Sequence, residues 1–340
     1  MVEYLPLANG AMTKSKYLLA TFLLTCTATG YAQSSPPLRQ QKTISLPDVQ
    51  GRIDHMFFDA QRNRLFVAAL GNNTVEVVDL QQGKRIHSIS GLHEPQGILY
   101  LPGPNRLYVG NGDDGTLRIF DGTTYQPLAT TKLGGDADNV RWDGEKRRIY
   151  VGYGRGALAA IDEKGTKLNE IALDAHPESF RLESQGTRIF VNLPESRKIA
   201  VVDEQRKSVI ASWHTDDASE NFPMALDEPD HRLFVVCRRP ARLLALDTDS
   251  GHIVGSWPTV ADCDDVFYDS AMKRIYATGG EGTISVFQQK NANTYEQIAS
   301  IPTRKGARTS FFSGETHSLY VAARRQGSEG AAILVYDVQH

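Results

Sequence analysis

The chain has 340 residues, of which 41% are hydrophobic and 23% charged, and its formal net charge is −3. That composition fits a soluble globular protein with a well-buried core, and so mild a charge argues against a nucleic-acid binder. Gly is frequent, at 29 residues, and short hydrophobic runs alternating with turn residues mark an all-β chain.

Residues 1–32 read as a cleavable signal peptide. Lys14 and Lys16 give a basic start, YLLATFLL (17–24) an apolar core, and Gly30 and Ala32 the small residues before a cut at Gln33. Residues 1–11 sit awkwardly upstream of this pattern, which makes Met12 a candidate true start. The cut removes Lys14, Lys16 and Glu3 and leaves 35 basic against 39 acidic side chains. A periplasmic or secreted protein is expected. Lipid attachment at Cys26 is the lesser reading, because Thr25 stands where Gly, Ala or Ser is expected. No later segment approaches the roughly 18 apolar residues that a membrane span needs. Residues 33–41 read as a linker.

Next comes KTISLPDVQ (42–50), which looks like a single strand, and then a unit that recurs seven times. Its most regular run is RLFVA from Arg64, RLYVG from Arg106, RIYVG from Arg148, RIFVN from Arg188, RLFVV from Arg232, RIYAT from Arg274 and SLYVA from Ser318, in steps of 42, 42, 40, 44, 42 and 44 residues. An acidic residue precedes the run at one fixed offset in Asp59, Asp143, Glu183, Asp227 and Asp269, while Leu101 and Ser313 depart from the pattern. A third run follows (VEVVD, LRIFD, LAAID and their counterparts). Its aspartate, at Asp79, Asp121, Asp162, Asp203, Asp247 and Asp337, is placed to accept N–H groups of the next turn. A fourth run, such as KRIHSIS or SVIASWH, completes the unit. Four short antiparallel strands in 40–50 residues is the period of a propeller blade. The seventh unit stops at His340 without a fourth strand, so residues 42–50 are expected to supply it and close the ring. The expected fold is a seven-bladed β-propeller of four-stranded antiparallel blades, one domain over residues 42–340.

The [RS]-[LI]-[FY]-[VA] runs, above all RIFVN at 188–192, resemble the YVTN-type repeats of the YncE-like propeller family, and HEPQGILYLPGPNRLYVGNG (93–112) resembles its blade start. The resemblance covers about residues 42–340. It implies a secreted or surface-exposed propeller, and many members are binding or scaffold modules. Related propellers include lactonases and lyases with a divalent cation in the central tunnel, and large subunits of quinoprotein amine dehydrogenases. Three functions follow: a binding module, a metal-dependent lactonase or lyase, and an accessory subunit of a periplasmic redox enzyme. No haem-attachment C-x-x-C-H is present, so a redox group would come from a partner. The lactonase pattern of tunnel Glu and Asn ligands is not matched, and Gln96 stands where an Asn-Gly start is expected.

In a propeller the first strand of each blade lines the tunnel, and the loops leading into it share one face with the loops joining strands two and three. Aligning the seven lead-in loops puts Asp54 and His55, Glu94 and Gln96, Asp136, Asp138 and Asn139, His176 and Glu178, Glu220 and Asn221, Asp262, Asp264 and Asp265, and Arg308 and Thr309 on the rim. The expected ligand-binding set is Asp54, His55, Gln96, Asp138, Glu178, Asn221, Asp264 and Arg308, with Asp54, Asp138, Glu178 and Asp264 as candidate metal ligands. Oxygen donors suit a divalent cation, so Ca²⁺, Mg²⁺ or Zn²⁺ is the candidate cofactor. Close carboxylates would also raise one another's pKa. The alternative is that these acids pair with arginines or backbone N–H groups. Arg238, Arg239, Arg242, Arg304, Lys305, Arg308, Arg324 and Arg325 are expected on the same face. The densest acidic stretch, ADCDDVFYD (261–269), is then one lead-in loop of seven, with Asp269 a turn residue. The expected partner is a small molecule, a glycan or a protein, and the expected state a monomer.

Cys237 and Cys263 fall on that face in neighbouring blades, where a disulfide and two buried thiols both remain open. Trp213 and Trp257 hold one offset in consecutive units and are expected to pack between blades. No G-x-S-x-G, H-E-x-x-H or phosphate loop is present.

Overall fold

The strands of one repeat differ in how much water they meet. Arg64–Ala69 is buried along its whole length, whereas Lys84–Ile89 is mostly exposed. A strand covered on both faces needs an unbroken apolar run, which is what RLFVA and its six counterparts provide. The computed structural model describes residues 1, 2 and 35–340, so the expected signal peptide lies, but for its first two residues, outside them. Pro36–His340 form one unit of seven four-stranded antiparallel sheets. The inner strands are Met56–Asp59, Pro95–Leu101, Ala137–Asp143, Phe180–Leu182, Ser219–Asp227, Cys263–Asp269 and Thr309–Ser313, taken below as blades 1 to 7. Each inner strand lies against that of the next blade, and the seventh returns to the first. The fold is a seven-bladed β-propeller.

The ring closes through the N-terminal strand, Leu38–Ser45, which pairs antiparallel with Ala332–Val338. The strand begins four residues before the expected position 42 and ends before LPDVQ. The linker reading of residues 38–41 is therefore corrected. Leu38 is 2% exposed and pairs with Val338, so burial draws this stretch into the sheet.

Seven clusters of buried apolar side chains glue the blades together. Phe66 of blade 1 meets Tyr100 of blade 2 with ring centroids 5.5 Å apart, and such full burial contributes about 1.5–3 kcal/mol per large side chain. The two tryptophans follow this rule. Trp213 packs on Phe190 in the cluster between blades 4 and 5, and Trp257 on Tyr295 between blades 5 and 6. Five of the six turn aspartates act as expected, Asp121 accepting N–H bonds from Thr123 and Thr124 and Asp247 from Asp249 and Ser250. Asp337, next to the end of the chain's last strand, accepts none through its side chain among the described residues. Asp269 accepts from Ala271 and Met272, which removes it from the acidic cluster of blade 6.

Candidate functional site

Strand register sets the levels of the tunnel. Phe57, Leu99, Arg141, Arg181, Ala225, Phe267 and Phe311 share one level, because each pairs with the aromatic residue of its blade's second strand. Three residues earlier in each blade stand Asp54, Gln96, Asp138, Glu178, Phe222, Asp264 and Arg308. All seven line a cavity of about 320 Å³ at the lead-in face. Bulges at the start of the inner strands of blades 2, 3, 5 and 6 break the pleat. Neighbouring residues such as Asp138 and Asn139 then both reach the cavity. Blades 2 and 3 approach so closely that a Cβ on Gly97 would meet the Asp138 carbonyl at 2.0 Å. Only Gly fits there, and that contact fixes the height of Asp138.

The register also corrects one expected site residue. Asn221 does not reach the cavity: it is fully buried, and its amide donates to Asn192 Oδ1 (3.1 Å) and the Lys198 carbonyl (2.9 Å). Its successor Phe222 takes the wall position. Arg52, at the mouth, is also absent from the sequence-based set, although it stands two residues before Asp54 and bridges to it at 3.1 Å.

On the side of blades 5 to 7 the acids are paired. Asp264 lies between Arg238 and Arg308, both in direct contact with it, and Arg308 also reaches Asp262 at 2.9 Å. Arg238 lies 3.9 Å above the Phe222 ring and so caps an apolar floor as well. Arg239 bridges to Glu220 at 3.0 Å. Asp264 is therefore held by arginines rather than facing Asp138 and Glu178 around one ion.

On the side of blades 3 and 4 the acids have no arginine. Carboxylate oxygens of Asp138 and Glu178 and a ring nitrogen of His176 all lie within 4.8 Å of one another. Asp138 is 5% exposed, and its Oδ1 has no hydrogen-bond partner. Burial, then the charge of Glu178, pushes the Asp138 carboxyl well above the usual range. Burial, then Asp264 and Asp54, lifts Glu178 to about 7, although His55 and a bond with Asp138 oppose it. His176 donates through Nδ1 to the Gly154 carbonyl at 2.6 Å, which leaves the Nε2 lone pair free. Asp136 stands 3.8 Å from that Nε2 and accepts from Gln96 at 2.8 Å. The expected metal set thus splits. Asp138 and Glu178 come together and gain His176, whereas Asp264 is bound by arginines and Asp54 pairs with Arg52.

His55 forms the floor. Its Nε2 is 3.8 Å from both Asp54 and Asp138, and its Nδ1 is 3.6 Å from Asp265. Burial alone would lower its pKa, but Asp265, then Asp54 and Asp138, outweigh burial and raise it to about 10. The imidazolium is one central cation among three acids. Thr309 donates to the Ile53 carbonyl and serves the backbone. Cys237 and Cys263 are free and buried, in the separate clusters between blades 4 and 5 and between blades 5 and 6. Burial pushes the Cys237 thiol up to about 12 and Cys263 well above its ordinary value, so neither is a ready nucleophile.

No protein-family model matches the chain. Among solved structures it is similar to a chain in the crystal structure of the mitotic checkpoint complex, with a TM-score of 0.76 and 14% identity over 96% of this chain and 100% of that one. At that identity the likeness concerns the fold. Among the described residues no helix is long and apolar enough to cross a membrane.

Proposed function

We propose that the protein is a binding module that takes a small oxygen-rich molecule in the lead-in cavity, beside a divalent cation held by Asp138, His176 and Glu178. The observation that carries this reading is the buried Asp138 carboxylate, whose Oδ1 accepts no hydrogen bond, standing with Glu178 and His176 so that one donor atom of each lies within 4.8 Å of the others. A buried acceptor without a hydrogen bond is costly; the His55 imidazolium at 3.8 Å answers it in part, and a coordinated cation would complete it. One imidazole with two carboxylates suits Zn²⁺ or Mn²⁺ better than Ca²⁺. When bound, the cation supplies a positive point for a ligand oxygen. Arg238 and Arg308 present guanidinium groups from the other side of the ring, which suits an acidic or hydroxylated ligand. In this reading the protein works in the periplasm or outside the cell, supported by the leader pattern of residues 12–32. Its place among YVTN-type propellers is supported by the repeat runs. Calorimetric titration of chelator-treated protein with Zn²⁺, Mn²⁺, Mg²⁺ and Ca²⁺ tests the site. One ion should bind per chain, and Asp138→Asn and Glu178→Gln should lose it with an unchanged fold. Wild-type protein that takes no ion, or variants that bind as well, would end this reading.

A second reading has its own observation: the Glu178 carboxyl at about 7 can both give and accept a proton near neutrality. A metal-dependent lactonase or lyase would use Glu178 in that role only if Asp138 and His176 held the cation without it, since a coordinated carboxylate stays ionised. It requires turnover in a lactone or lyase screen that is abolished by Glu178→Gln. Ion-loaded protein that is inert across the screen leaves only the binding reading.

A further inference from the structure

The tunnel has a second compartment that the rim site does not use. His55 lines both. Past it, toward the opposite face, lies a cavity of about 480 Å³ with largely apolar walls. Arg141 and Arg181 stand in it at the same level of adjacent inner strands. Phe57, Phe267 and Phe311 hold that level in blades 1, 6 and 7. The Phe311 ring is 6.0 Å from both other rings, so the three make one aromatic wall. Blade 5 carries only Ala225 at this level, and a further hollow shares Arg181 and Phe267 with the cavity, which leaves room for a longer chain.

The arginines are short of partners. Arg141 gives its terminal nitrogens to Asn139 Oδ1 (2.6 Å) and the Val140 carbonyl (3.0 Å), and its buried Nε has none. Among the described residues the Arg181 guanidinium makes no hydrogen bond or ion pair. Burial, then the charge of Arg141, holds it down to about 9. The carboxylate beside them, Asp265, is engaged by His55 at 3.6 Å and by the Ser310 N–H at 2.9 Å. Two guanidinium groups that share one carboxylate already engaged elsewhere are unfavourable in an apolar cavity, and a planar carboxylate fits their fork.

We propose that this compartment binds an amphipathic monocarboxylate, its carboxylate on Arg181 and Arg141 and its apolar body against Phe57, Phe267 and Phe311. The test is calorimetric titration of the full chain with decanoate and 2-naphthoate, against uncharged 2-naphthamide. At least one carboxylate should bind saturably, one per chain. The amide and the Arg181→Met variant should each bind about ten-fold more weakly or worse. Arg206→Met, which removes an exposed arginine in a turn of blade 4, should bind as wild type does. A structural role for Arg181 predicts that Arg181→Met melts lower. A ligand role predicts an unchanged or higher melting temperature without ligand, because a half-buried charge with no hydrogen bond is gone. Failure of both carboxylates to bind, equal binding of amide and acid, or undiminished binding by Arg181→Met would overturn the proposal. Should that variant not fold, Arg141→Met and the amide comparison decide the matter on the same criteria.

Discussion

The two sides of the rim carry the same residue type with different partners. Asp262 and Asp264 sit against Arg238 and Arg308, whereas Asp138 and Glu178 face each other and His176 with no arginine between them. The cause is a pair of replacements at one repeat position. Blades 1, 3, 4 and 6 place an acid three residues before the tunnel level, blade 7 places Arg308 and blade 5 Phe222. Arg308 neutralises its neighbour in blade 6, and Phe222 gives Arg238 a ring to lie on. A count of carboxylates therefore says nothing about which of them are free. The neighbours in the ring decide that.

The largest effect that would break this contrast is expected at Arg308. Arg308→Ala strips Asp262 and Asp264 of a charged donor, and urea unfolding should show a loss of about 2–3 kcal/mol. Asp138→Asn should instead raise the midpoint slightly, because it removes one of two crowded acids. If both variants lose stability alike, the two sides are not different. A smaller effect comes from the cation. At a free concentration ten-fold above its Kd, it should add about 1.4 kcal/mol. His176→Ala should abolish that gain, while Asp264→Asn should keep it. An equal loss in both variants would mean that one ion spans the whole rim.

The blades were legible in the sequence because burial on both faces leaves a continuous apolar mark. RLFVA and its counterparts repeat that mark at nearly fixed spacing. The turn aspartates were legible for a similar reason: Asp121 acts on N–H groups two and three residues away, so the sequence holds the whole interaction. The rim was legible as a set of positions but not as a set of partners. Asn221 and Phe222 are adjacent, and a bulge decides which one faces the cavity. Whether Asp264 meets an arginine depends on Arg238, 26 residues away, and on Arg308 in the next blade. Arg141 and Arg181 left a fainter mark, as arginines at an inner-strand level where most blades have an apolar residue. That level shows only once the register is known.

The smallest effect, and the one that reports on the unpaired side most directly, is the pH dependence of the ion-free protein. Glu178 is raised from 4.5 to about 7, so its contribution to stability is complete below pH 4.5 and is lost as pH rises through about 7. His55 is raised from 6.5 to about 10, so its contribution is complete below pH 6.5 and is lost as pH rises through about 10. Both slopes run the same way. The turn acids, such as Asp121, are held below 3.8 by backbone N–H groups and lose their contribution only as pH falls past that value, outside this window. The melting temperature of chelator-treated protein should therefore fall steadily from about pH 5 to about pH 9. Glu178→Gln should lessen the acid part of that fall, which Asp264, raised by burial to about 6, shares, and leave the alkaline part. A bound cation needs the carboxylates ionised, so it should stabilise more at about pH 8 than at about pH 5. A melting temperature that instead rises from about pH 5 to about pH 7 without an ion would mean that Glu178 is held ionised by a cationic partner. The distinction between the two sides of the rim would then be lost.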